Sequence, residues 1–214
     1  MKTTKIFAFL LAMLFTVFSF VSCNSNNLDG EIENLEEYSE KLKKQQDTLD
    51  YVIAFLDDIS FSLQESGYKI EFCEQSLTKL LSDYEEIIAL INELRANAST
   101  EQQNILSEVT LSLEGFNQKV NAIYDVAANA KLELDIALNE CAQLCNEADK
   151  LKQKIQVLPL TGEDEDILLS LVKKAQDMDK PEGEISATND VISAHIQDLI
   201  RVLENQKAIL DAMR

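Results

Sequence analysis

Four cysteines, one histidine and a run of four acids are the residues of this 214-residue chain whose types could do chemistry. Cys23, Cys73, Cys141 and Cys145 offer thiols, His195 is the only imidazole, and Glu163-Asp164-Glu165-Asp166 offers consecutive carboxylates. A metal centre needs several such groups converging on one point, and a nucleophile needs a base beside it. The acidic run lacks the glycine and the ligand spacing of a calcium loop, and reads as acids complementing a helix N-terminus. A lone histidine near an apolar face reads as packing or capping rather than as a ligand. There is no P-loop, G-x-S-x-G, H-E-x-x-H or C-x-x-C. The residues therefore assign no catalytic group, no metal and no cofactor, and the chain reads as non-enzymatic.

Composition points the same way. Five Gly and two Pro leave little turn chemistry for a many-stranded fold or a loop-built active site. With 19 Lys and Arg against 38 Asp and Glu, the formal net charge is −19. That excludes nucleic acid as the main partner, because the phosphate backbone needs a basic surface.

The first cysteine closes a distinct segment. Residues 1–23 read MKTTKIFAFLLAMLFTVFSFVSC, with Lys2 and Lys5 ahead of an almost unbroken apolar run from Ile6 to Val21. The run is short for a membrane span and has the layout of a secretory signal. Ser22-Cys23 follows the run directly, and Asn24-Ser25-Asn26-Asn27 follows Cys23. This arrangement resembles the lipobox of bacterial lipoproteins cut by signal peptidase II, in particular the Phe-rich leaders of Bacteroidetes lipoproteins. Phe20 stands where that family usually has Leu or another aliphatic residue. The resemblance covers about a tenth of the chain. It implies removal of residues 1–22, a lipid on Cys23, a short polar linker over 23–29 and a membrane as partner through the lipid. Asn24 implies, on the same resemblance, the outer membrane of the cell envelope. Several acyl chains would hold the protein firmly where one would be marginal. Loss of residues 1–22 removes Lys2 and Lys5 and no acid, which takes the net charge from −19 to −21.

The rest of the chain is organised by alternating three- and four-residue spacing of apolar side chains, the mark of a coiled-coil seam. From Leu106 the series runs Val109, Leu113, Phe116, Val120, Ile123, Ala127, Ala130, Leu134, Ala137, Cys141, Leu144, Ala148, Leu151, Ile155 and Leu158. This predicts one helix over about 100–158, opened by a capping box at Ser99 and Gln102 and closed before Pro159. A second series passes through Leu49, Val52, Leu56, Ile59, Leu63, Ile70, Cys73, Leu77, Leu80, Tyr84, Ile87, Ile91 and Leu94, with Glu31, Gln45 and Ser66 as polar members. Its phase is kept across Gly67, which predicts one helix over about 30–97 rather than a hairpin. A third series is split. Leu168, Leu171, Ala175 and Met178 give a helix over about 164–178. Ile185, Ile192, Ile196, Leu199, Leu203 and Leu210 give another over about 186–213, with Asn189 and Gln206 as polar members. Lys180-Pro181-Glu182-Gly183 is expected to break the two, and Ser186 or Thr188 to cap the second.

Short turns force antiparallel neighbours. The expected fold is all-α: a single elongated, antiparallel, three-stranded bundle over 30–214, resembling a stretched spectrin repeat, with its third strand split into two helices. A second copy could supply a seam, so a homo-oligomer is an alternative. In this bundle residue i of the first strand lies level with about residue 198 minus i of the second. Cys73 then sits near residue 125, about 24 Å along the axis from Cys141, beyond disulfide reach. Residues 28–38 would project as a stalk toward the lipid. The opposite tip would gather Arg95, Asn97, Ser99, Thr100, Glu101 and Arg214, the candidate interaction residues.

The functional expectation is an envelope-anchored coiled-coil lipoprotein acting as spacer, scaffold or partner-binding rod, its protein partner unidentified. The alternative is an acidic inhibitor or immunity-type lipoprotein that captures a basic protein or peptide. Asp47-Thr48-Leu49 also resembles the short O-glycosylation acceptor of Bacteroidetes.

Overall fold

The computed structural model describes residues 28–156 and 158–214, with side chains from residue 34 onward. The leader and Cys23 lie outside these residues. The described chain is a helical bundle built of five helices: α1 (Leu28–Arg95), α2 (Thr100–Ser112), α3 (Phe116–Lys154), α4 (Glu163–Asp177) and α5 (Asp179–Asp211). The first strand of the bundle is α1, which at 1.5 Å per residue is about 100 Å long. The second strand is α2 followed by α3, running antiparallel to it. The third is α4 followed by α5, running parallel to α1.

The heptad positions become the core. All of the series from Leu106 to Ile155 is buried, as are Leu49, Val52, Leu56, Ile59, Leu63, Ile70, Cys73, Leu77, Leu80, Ile87 and Ile91 of α1. Cross-strand contacts fix the register. Gln46 donates to the Ile155 carbonyl, Lys152 pairs with Asp50, Cys141 reaches the Leu56 carbonyl and Lys131 pairs with Glu74. Tyr84 stacks on Phe116 at 5.0 Å between ring centroids. The expected antiparallel level rule describes these pairs to within about a helical turn, except Lys131–Glu74, where the long lysine spans about two turns. Residues 34–40 are exposed on every side, Leu42 is the first half-buried seam residue and Gln45 the first buried one. Residues 34–40 of α1 therefore stand clear of the bundle.

Gly67 sits within α1, and the helix continues through it. A Cβ there would lie 3.1 Å from Leu134 Cδ2. The missing side chain lets α3 approach α1 closely, which offsets the helix propensity that glycine gives up.

Three expectations need correction. The helix expected over 100–158 is two helices, because Gly115 takes a left-handed φ of 72°. Around it Thr110 and Ser112 hydroxyls donate to the Leu106 and Val109 carbonyls, each at 2.7 Å. Glu114 and Phe116 N–H groups bond three residues back, to Leu111 and Leu113. One tightened turn absorbs the irregularity, and both Leu113 and Phe116 stay buried. Second, α3 ends at Lys154 and Leu158 is 66% exposed, so the seam stops one step early, at Ile155. Third, the break between the last two helices is Met178 alone, and α5 begins at Asp179. Pro181 causes it from within the first turn of α5. It has no N–H for the Asp177 carbonyl and its ring crowds that group, so α4 stops at Asp177 while the first turn tolerates proline. Gly183, Ser186 and Thr188 are therefore inside α5. Neither hydroxyl is the cap, and Thr188 donates to the Glu184 carbonyl.

Candidate functional site

The turn between α1 and α2 and the C-terminal end of α5 meet at one tip of the bundle. Arg95 ends α1 and donates to Thr110 Oγ1 at 3.2 Å. Asn97 N–H bonds the Leu94 carbonyl in the turn. Ser99 is the N-cap of α2, its hydroxyl accepting from Gln102 N–H while Gln102 Oε1 accepts from Ser99 N–H. Thr100 and Glu101 follow in the first turn. Arg214 comes within 3.8 Å of Glu93 across the tip. All six residues are at the surface, and Arg95, Asn97 and Ser99 are largely occupied in finishing and joining the helices. The tip is a closed end cap with a mixed-charge rim.

At the opposite end the second turn is held by Gln45. This amide is buried on α1, donates from Nε2 to the Leu160 carbonyl at 3.2 Å and accepts at Oε1 from Leu160 N–H at 2.8 Å. Lys41 pairs with Glu165 at 2.9 Å, and Lys154 pairs with Asp164 at 2.5 Å. Glu163, Asp164, Glu165 and Asp166 make up the first turn of α4. The acidic run thus complements the helix N-terminus, and two of its carboxylates also tie the turn to its neighbours. Thr48 lies within α1, and its hydroxyl donates to the Lys44 carbonyl at 2.8 Å.

The cysteines and the histidine are spread along the rod. Cys73 is buried on α1 with its sulfur 3.7 Å from Ser193 Oγ of α5. Cys141 and Cys145 share a face of α3, one turn apart, and all three thiols are free. Burial, reinforced by Cys145 and Asp57, pushes the Cys141 thiol up to about 11. Burial also raises Cys145, with Asp57 and Asp149 adding to it and a hydrogen bond from Cys141 opposing. At neutral pH these sulfurs are protonated and poorly nucleophilic. His195 is exposed on α5, beside an open groove that it lines with Val126, Val191 and Asp198. Its level matches the expectation near residue 126. Among the described residues no group of three His, Cys, Asp or Glu side chains is placed to hold a metal. No described helix is long and apolar enough to cross a membrane.

Sequence reading missed one surface. Phe61, Tyr68 and Phe72 are 65%, 71% and 70% exposed on the outer side of α1. The signal was available: Phe61 and Tyr68 each stand two residues before a core position, Leu63 and Ile70, and Phe72 two residues after. Those are the outward positions of a heptad, where polar residues are the rule.

No protein-family model matches this chain, and no curated protein matches it.

Proposed function

We propose that this chain is a non-enzymatic, envelope-anchored coiled-coil lipoprotein that serves as a spacer or partner-binding rod. Cys23 carries the lipid in this reading, and the outer membrane is the destination. The observation that supports it best is the course of α1. A single helix about 100 Å long leads from five residues after Cys23, through an exposed stalk, to the distal tip. Such a helix can hold a tip or a flank at a fixed distance from a surface. The short supply of chemistry-bearing residues in the sequence, with a single histidine and no P-loop, G-x-S-x-G or H-E-x-x-H motif, supports the non-enzymatic part of the reading.

The anchor is tested by expressing the full chain with a radiolabelled fatty acid in a bacterial host. The expected result is label in the membrane fraction, lost in Cys23→Ala, with precursor accumulating when signal peptidase II is inhibited. A cleaved, unlabelled product released from the membrane would overturn it.

A second reading, capture of a basic protein or peptide, is favoured by the charge. The chain from residue 23 carries a net −21, and the acids are distributed along the helix faces. Such capture would be salt-sensitive.

A further inference from the structure

We propose that the outer face of α1 around Phe61, Tyr68 and Phe72 is a docking site for a cationic segment, its arginine or lysine side chains laid across the three rings. The proposal rests on the partner-binding part of the function above and is independent of the lipid anchor.

The face is unusual within this molecule. Three aromatic side chains, each about two-thirds exposed, project from one side of α1 along about 17 Å of helix. They do nothing for the bundle: the core residues Leu63, Ile70 and Cys73 beside them are already covered by α3 and α5. Exposed aromatics of this size mark interaction surfaces rather than solvated helix. Charge identifies what covers them. Phe72 also borders a groove in which Lys79 and Lys207 are balanced by Asp83 and Glu204. Along α1 itself, Asp57, Asp58, Glu65 and Glu71 are all exposed within one turn of a ring, against Lys69 alone on this helix. None of these four carboxylates forms an ion pair among the described residues. An aromatic face rimmed by free carboxylates suits a cation twice over. The ring face attracts it electrostatically, and the carboxylate pairs with the same head group. A second copy would bring the same excess of negative charge against this one, and an anionic lipid surface would be repelled for the same reason. Guanidinium is favoured over ammonium, because it stacks on a ring while its edge still donates to a carboxylate.

The test uses residues 24–214, which retain every buried residue described above. The probe is a fluorescent helical peptide of about 18 residues, long enough to span the stripe, with arginines spaced three and four apart on one face. A control peptide carries citrulline in their place. The expected result is saturable 1:1 binding of the arginine peptide, weakened by salt and absent with citrulline. Replacing Phe61, Tyr68 and Phe72 together by serine should weaken it at least about tenfold, the worth of two exposed cation–π contacts. Replacing Leu132 and Ile136 by serine, an exposed apolar pair on α3, should leave it unchanged. Circular dichroism should show all three proteins equally helical, since the altered side chains are at the surface. Equal binding by the native chain and the aromatic variant would overturn the proposal, leaving charge capture by any acidic face. So would self-association of the native chain that the aromatic substitutions abolish, which would assign the stripe to a second copy. So would binding to neutral lipid vesicles lost in the same variant.

Discussion

Gln45 and Asn189 are both buried amides at positions where the heptad asks for an apolar side chain, and the bundle treats them differently. Gln45 lies at the stalk end, 6% exposed, and uses both halves of its amide on one residue, the N–H and the carbonyl of Leu160. Asn189 lies in the middle of the rod, 1% exposed, and donates to the Ser66 carbonyl at 3.1 Å while its Oδ1 has no partner. The first amide closes a turn whose backbone would otherwise be buried without hydrogen bonds. The second bonds a carbonyl within the helical run of α1, so it adds a contact without rescuing an orphan. A polar residue in a seam can thus be a structural clasp or a tolerated irregularity, and the partner atoms decide which.

Removing the clasp should have the largest effect. Gln45→Leu strips partners from a buried N–H and a buried carbonyl at once, because Leu160 is only 4% exposed. The cost expected in urea unfolding is about 2–4 kcal/mol, from two groups left unsatisfied and partly offset by the added apolar burial. The matching protease experiment should show first cleavage moving to residues 155–163. A loss below about 0.5 kcal/mol would mean that water replaces the amide at Leu160, and the two sites would then be alike.

A control separates polar pairing from backbone geometry. Gly115→Ala leaves both amides intact and puts a Cβ on a left-handed residue with only Gln118 Oε1 nearby, 3.7 Å away. The expected cost is about 1–2 kcal/mol, read as a lower urea midpoint with an unchanged slope. If it costs nothing, the break between α2 and α3 is supported by something other than glycine's freedom at this turn.

These cases show what the sequence could and could not convey. The heptads located the three strands, nearly every core residue and the polar members Gln45, Ser66 and Asn189, because burial on a helix obeys a period. They did not reveal what Gln45 bonds, since Leu160 is distant in sequence and reaches it only once the second turn forms. Gly67 and Gly115 both stand in unbroken phase, yet one is passed and the other breaks the helix. The deciding facts are a Leu134 methyl approaching Gly67 and the Thr110 and Ser112 hydroxyls drawing on carbonyls before Gly115. Periodicity is insensitive to both. Pro181 reads as a breaker, but its effect falls four residues upstream, at the carbonyl it cannot serve. Of the candidate sites, the tip was legible because helix ends define it. The aromatic face lies at outward positions, which the heptad period by itself assigns to solvated surface.

The middle of the rod should respond with the opposite sign. Asn189→Leu removes an unpartnered buried oxygen and leaves the Ser66 carbonyl within its helix. The expectation is a gain of up to about 1 kcal/mol, as found where an imperfectly satisfied polar group gives way to an apolar one of similar shape. Leucine at this position should also join the two apolar clusters that now meet around Asn189, one ending at Ile185 and the other starting at Ile192. A destabilisation comparable to that of Gln45→Leu would make Asn189 a clasp too, and would point to a partner for Oδ1.

The thiol of Cys141 gives the mildest version of the contrast. It is a buried polar group in the seam whose weak donor meets the Leu56 carbonyl at 3.3 Å. Its neutral form is what the core holds, so its effect emerges only when the proton is at stake. Folding raises its pKa from 9.0 to about 11, chiefly by burial. As pH climbs past 9 the unfolded chain releases this proton first, so the unfolded state binds fewer protons and stability must fall. The fall ends near pH 11, where the folded thiol also ionises. Denaturant midpoints measured from pH 8 to 11 should therefore slope downward in the native chain and flatten in Cys141→Ala, after correction for the cavity cost that is the same at every pH. A slope unchanged by the substitution would move the titration to Cys145, whose thiol is raised by the same burial and by Asp57. The Cys145→Ala chain would then be the one that flattens.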